Sequence, residues 1–206
     1  DIVTGQSNII IPMAAQGLYN EVSDSKYIDF SKPYWKSGYH DNIKINNRLY
    51  TLCGDYALTA LTRSNVIFFN KSLMDEYQIE YPYKLVKEGN WTLDKFLEIV
   101  RGIAIDLNGD SVIDKDDLHG FCAYNNSIDP FFASNGLGFT TLDSDGKRKI
   151  DFPNDRAVDV FDKIYALTHS DNFINASTNY VVAGTTSNTE EAMSVEFKNG
   201  KILMMG

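Results

Sequence analysis

Asp106, Asn108, Asp110, Asp114 and Asp117 fall at positions one, three, five, nine and twelve of the twelve-residue stretch "DLNGDSVIDKDD". Val112, at position seven, offers a backbone carbonyl, and Ile113 at position eight is apolar. Calcium takes about six to eight oxygen ligands, and one short loop can wrap them around a single ion. Carboxylates crowded this closely repel one another unless a cation lies between them. The expected chemistry is therefore a structural Ca2+ site built from these six residues. The competing reading is a solvated acidic turn.

This spacing resembles an EF-hand loop, and more closely the dockerin version, in which Asp commonly ends the loop. Two residues depart from the pattern. Ser111 stands at position six, where Gly is usual, and a left-handed backbone there costs a non-glycine residue on the order of 1 kcal/mol. Asp117 is shorter than the usual Glu, which makes bidentate closure less secure. "GFCAY" follows too soon for a full exiting helix, so the expected arrangement is helix, loop, strand.

Catalytic signals are weak by comparison. His40, His119 and His169 have no partner at metal-ligand spacing, and each reads as a surface or internally satisfied histidine. There is no nucleophile elbow, phosphate-binding loop or H-E-x-x-H motif. Gly136-Leu137-Gly138 is not a dinucleotide fingerprint. Paired carboxylates for glycoside hydrolysis have the right residue type, but nothing in their spacing favours them.

Composition sets further bounds. The chain has 206 residues, 43% hydrophobic, which is enough for one or two packed domains. Its formal charge of −9, with no basic run, argues against a nucleic-acid partner. No apolar run approaches a membrane span, and no signal peptide is visible. Cys53 and Cys122 are too few for a disulfide scaffold. They read as small buried hydrophobes, with a single disulfide as the alternative.

The elements that position these residues follow from pattern. Ile43, Ile45, Leu49 and Leu52 alternate around Asn46-Asn47, which predicts a hairpin. "NVIFFN" reads as a strand buried on both faces, and "KSLMDEY" as a short helix. Thr92 is a plausible N-cap for a helix with Leu93, Phe96, Leu97, Val100 and Ala104 on one face. "GFCAYN" reads as a strand, and "DPFFASNGLGF" as a helix ending at Gly136 or Gly138. "TLDSDGKRKIDF" predicts a second hairpin. Asn154 or Asp155 caps a helix on which Val158, Phe161, Ile164, Tyr165 and Thr168 lie near one another. Pro12 argues against one long helix over residues 9–22. Residues 170–189 read as a loop, and "EEAMSVEFKNGKILMMG" as helix, turn and strand.

The order of these pieces resembles the extracellular solute-binding proteins of ATP-driven (ABC) importers, the sugar-binding group above all. The resemblance rests on "NNRLYTL", "VIFFNKSL", "GNWTLDKF" and "FKNGKILMMG" in this order. It implies an α/β fold of the periplasmic-binding-protein type II, two-lobed class. Residues 1–51 would form part of lobe 1 and residues 52–206 most of lobe 2, as an internal fragment of a longer protein. It also implies a non-catalytic protein outside the cytoplasm, cell-surface or periplasmic, held to the membrane only by a lipid anchor. Its partners would be an oligosaccharide or other small solute and the permease subunits. Carried over by position, the ligand contacts are Gln6, Ser7 and Asn8, then Gly54 and Asp55, then Tyr124, Asn125, Asp129 and Phe131. The rival reading is a dockerin-like, calcium-dependent interaction module, although only one such loop is present. A glycosidase ranks third.

Overall fold

The computed structural model describes residues 2–62, 64–145, 147–180 and 189–206, with backbone alone at 60, 61, 125 and 126. It forms two compact units, one of residues 1–64 with 140–151 and one of residues 65–139 with 152–206. The division thus falls after Ser64, whereas the sequence placed it after Thr51.

The first unit has little regular structure. Helix α1, Ser7–Ala15, contains Pro12 and closes at Gly17, which sits at φ +77°. Pro12, expected to preclude a long helix, lies inside this short one. Helix α2 spans Ser37–Ile43 and α3 spans Leu58–Thr62. The expected hairpin reduces to one bridge, Ile45 to Arg48, across Asn46 and Asn47 at φ +49° and +63°. The turn chemistry was legible, but Ile43 belongs to α2. Its buried apolar side chains are Ala14 and Leu49. Beside them Phe30, Trp35 and the buried His40 pack ring against ring. His40 accepts the Cys53 amide hydrogen at Nε2, 2.9 Å.

The second unit carries the sheet. Strand β1, Phe68–Phe69, leads to α4, Lys71–Glu76, whose first turn is capped by the Asn70 side chain. Then come α5, Pro82–Lys87, and α6, Leu93–Arg101. Thr92 caps α6 as expected, accepting from the Lys95 amide at 3.2 Å. Strand β2, Ala104–Ile105, and β3, Leu118–Ala123, flank the acidic loop. A 3₁₀ turn, Asn125–Ile128, runs into α7, Asp129–Ser134. Strands β4, Thr140–Leu142, and β5, Arg148–Ile150, form the second hairpin as predicted and group with the first unit. Back in the second unit come α8, Asp155–Thr168, β6, Phe173–Asn175, α9, Ala176–Asn179, α10, Thr189–Lys198, and β7, Ile202–Met205.

The result is a mixed sheet in an α/β unit. β3 is its centre. It pairs in parallel with β7 on one edge, and on the other with antiparallel β2 and then parallel β6. β1 pairs antiparallel with β7 at the sheet border. That corrects "NVIFFN": Phe68 is 55% exposed, because β1 is an edge strand with only one neighbour. β6 and α9 correct the expected loop at 170–189, and positions 181–188 of that loop lie outside the described residues. A run rich in Ser, Thr and Asn concealed a strand whose Phe173 and Ile174 pack on the two core clusters. On α8 the buried stripe is Ala157, Val160, Ile164 and Leu167. Phe161 and Tyr165 stack in solvent instead, with His169 next to Tyr165. Both cysteines are free thiols, and burial pushes the Cys122 pKa up to about 12.

Helix α6 lies directly on β3 at Gly120. A Cβ there would stand 2.0 Å from the Val100 carbonyl oxygen, so no larger residue fits without moving the helix. Gly120→Ala is expected to destabilise the second unit by about 3 kcal/mol or more, at or beyond the upper end of overpacking costs. Gly102→Ala, whose Cβ would meet only the Ile99 carbonyl oxygen at 3.5 Å, is expected to be neutral or slightly stabilising. Urea unfolding of both variants checks the contrast.

Candidate functional site

A cleft of about 620 Å³ opens in the second unit where parallel strands β3 and β7 end. Ligands of open α/β sheets bind outside the carboxyl ends of the strands. Phe121 of β3 forms part of the floor and Gly206, after β7, part of the rim. The turn and helix after β3 supply Ser127, Phe131 and Asn135. Helix α5 supplies Tyr83, and the approach to α6 supplies Trp91.

The walls are largely aromatic. Phe96 meets Phe121 at 5.0 Å edge to face, Phe131 at 5.3 Å and Trp91 at 6.2 Å, centroid to centroid. Phe69 and Tyr83 make a second pair at 5.3 Å. These contacts fix the rings before any ligand arrives, so little side-chain entropy remains to be lost on binding. Several polar groups of the lining serve the fold. The Asn135 amide nitrogen and the Ser134 hydroxyl both donate to the Phe131 carbonyl, at 2.8 and 3.1 Å. Arg156, in the first turn of α8, is the one charged side chain in the lining among the described residues.

The residues expected to bind ligand are scattered across this picture. Phe131 lines the cleft. Tyr124 and Asp129 come from the same β3–α7 connection but do not line it. The Tyr124 hydroxyl is buried without a hydrogen-bond partner among the described residues, and burial pushes its pKa up to about 12. Asp129 is exposed in the first turn of α7. Asn125 opens the 3₁₀ turn, and its side chain lies outside the described residues.

In the first unit, Gln6, Ser7 and Asn8 start α1, and Ser7 Oγ lies 2.6 Å from the Tyr39 hydroxyl. Gly54 is pressed against Trp35, and a Cβ there would stand 2.7 Å from the Tyr34 carbonyl oxygen. Asp55 is ion-paired with Lys36 at 2.9 Å. Gly54 and Asp55 therefore have structural work within their own unit. Sequence reasoning missed Tyr83, Trp91 and Arg156 as lining residues. Trp91 enters the sequence reading only within the "GNWTLDKF" motif, and no local pattern marks Arg156.

The acidic loop closes the β2–β3 hairpin, so strand, loop, strand replaces the expected helix, loop, strand. Its predicted ligands turn inward on the loop's own backbone. Asp106 accepts from the amides of Asn108, Gly109 and Ser111 at 3.1, 2.6 and 2.8 Å. Asn108 accepts from Asp110, and Asp110 from Val112. Asp114 accepts from Asp116, and Asp117 from Leu107 and Asp114. Ser111 sits at φ +68°, the left-handed conformation expected at position six, and Gly109 at +80°. Asp117 is fully buried. Just beyond it, buried His119 places its ring nitrogens 2.7 Å from the Asp114 carbonyl oxygen and 3.0 Å from that of Asp171. Among the described residues, no three of His, Cys, Asp and Glu converge as a metal-binding group.

No family model, curated protein or solved structure matches the chain. No helix among the described residues is long and apolar enough to cross a membrane.

Backbone amides from Asp114 and Leu107 hold the Asp117 carboxyl below its ordinary value of 3.8. A depressed carboxylate contributes stability above its unfolded pKa and loses it as pH falls through the folded one. Asp117→Asn is therefore expected to lower the melting temperature at neutral pH and to flatten the loss of stability below about pH 4. Thermal melts of both proteins between neutral and acid pH measure it. Equal acid sensitivity in the two would show that Asp117 does not anchor the loop.

Proposed function

We propose that this chain is a non-catalytic, extracytoplasmic solute-binding protein that delivers an oligosaccharide to an ABC-type importer. The observation that carries this reading is the aromatic cleft at the carboxyl ends of β3 and β7. Saccharides present flat C–H faces and a fringe of hydroxyls, and preformed rings beside a few polar groups suit both. The volume of about 620 Å³ accommodates a few sugar rings. The permease and a lipid anchor belong to the same reading, as its partner and its tether to the membrane.

Isothermal titration of the chain with a panel of neutral and charged oligosaccharides tests it. The expected result is saturable heat at one-to-one stoichiometry with one sugar class and no release of reducing ends. Trp91→Ala is expected to weaken that binding roughly tenfold, the effect of about 1.4 kcal/mol. No heat with any saccharide, or hydrolysis of one, overturns the reading.

A second site accompanies it. We infer that the Asp106–Asp117 loop takes a structural Ca2+, held by the side chains of Asp106, Asn108, Asp110, Asp114 and Asp117 and by the Val112 carbonyl. The left-handed Ser111 favours this, because it folds the loop back on itself at the position where such loops turn around an ion. The present hydrogen bonds leave lone pairs on the carboxylates, and all of these donors are hard oxygens suited to Ca2+. An ion bound only by the folded state, at about a hundred times its Kd, adds roughly 2.7 kcal/mol. That predicts a melting temperature about 5–10 °C higher in excess Ca2+ than in chelator. Asp106→Ala should abolish the difference, and identical melts of the native chain overturn the inference.

A further inference from the structure

The cleft has an uneven charge. The chain carries 28 acidic and 19 basic side chains, yet among the described residues the lining contains no acidic side chain and one guanidinium, Arg156. No described acid lies within ion-pair distance of Arg156, whereas Lys163 on the same helix is held by Asp94 and Asp159 at 2.9 and 3.0 Å. The Arg156 nitrogens stand beside Gly136, at an ordinary contact distance of 4.0 Å from where a Cβ would project, and the side chain is exposed at the rim. The residue also sits in the first turn of α8, where the helix field disfavours a cation. A local rule is thus broken at the rim of the cleft, and such exceptions concentrate where a ligand supplies the missing compensation.

We propose that the solute is anionic: a saccharide bearing a carboxylate, which the Arg156 guanidinium pairs while its rings lie on Trp91, Tyr83 and Phe131. This rests on the solute-binding reading and narrows it. A planar guanidinium matches a carboxylate through two parallel hydrogen bonds, which a lysine ammonium cannot reproduce. A neutral sugar in the same place would cover Arg156 and leave the charge desolvated without a counter-charge, which is unfavourable.

The test uses matched pairs of oligosaccharides that differ only in a C6 hydroxymethyl or a C6 carboxylate, built on glucose, galactose and mannose. Each is titrated into the full 206-residue chain, its Arg156→Gln and Arg156→Lys variants, and Lys198→Gln, which removes one positive charge outside the cleft lining. The expected result is that the acidic member of one pair binds about tenfold or more tightly than its neutral twin, as befits a charge-assisted pair. Arg156→Gln should erase that preference, Arg156→Lys should restore it in part, and Lys198→Gln should leave it intact. Equal or tighter binding of the neutral member overturns the proposal and leaves the solute-binding reading standing. So does an acid preference that survives Arg156→Gln. No binding by any member of any pair removes both.

Discussion

The second unit depends on one close approach, the seating of α6 on β3 at Gly120. The helix comes so near that the Val100 carbonyl occupies the space of a side chain. That seating places Phe96 edge to face on Phe121 and buries Val100, Leu97 and Ile99 in the same cluster as Leu118, Leu203 and Met204. A strand that accepts a helix this closely cannot slide along it, because a shift of one residue would bring a Cβ into the backbone. The register of the neighbours follows: β7 pairs Met204 with Phe121, and β6 pairs Phe173 with the same residue.

Strand β3 joins the two candidate sites. Its first residue follows Asp117, the buried end of the acidic loop, and its last precedes the connection that delivers Ser127 and Phe131 to the cleft. The strand is entirely buried, and at roughly 3.3 Å per residue it spans about 20 Å. His119 packs between the loop end and the chain entering β6, its two ring nitrogens 2.7 and 3.0 Å from the carbonyl oxygens of Asp114 and Asp171. A loop that stiffens therefore acts on the same strand that floors the cleft. This is a role in holding shape, distinct from the calcium-driven exposure of a partner surface that an interaction module requires.

How much of this was legible in the sequence divides by range. Local devices read well. Thr92 and Asn154 cap their helices, Asn46-Asn47 turns with positive φ, and the β4–β5 hairpin forms around Asp143, which accepts the Asp145 and Lys147 amides. Ser111 takes the backbone that its loop position demanded. Each follows from the chemistry of two to five adjacent residues. Failures came where tertiary neighbours decide. "NVIFFN" has the composition of a central strand but lies at the sheet border, and β6 hides in a polar run because it is only three residues long, with Phe173 and Ile174 packed on the two core clusters. The cleft was half visible for the same reason. Phe131 came from the right connection, while Tyr83, Trp91 and Arg156 reach it from three other segments.

The overall acidity of the chain does not argue against an anionic solute. At physiological ionic strength, exposed charges more than about 8 Å apart are largely screened, so selectivity is decided by what stands in the cleft. There the balance of side chains is reversed, with one guanidinium and no acidic side chain among the described lining residues. Arg156 is exposed at the rim, and a ligand lying over the rings would shield it from water, which strengthens a contact between opposite charges and penalises an unpaired one. Rings alone would accept many sugars, because each has an apolar face to offer. On the proposal made above, a cation with no ion-pair partner among the described residues, standing at their edge, would make the cleft discriminate by charge.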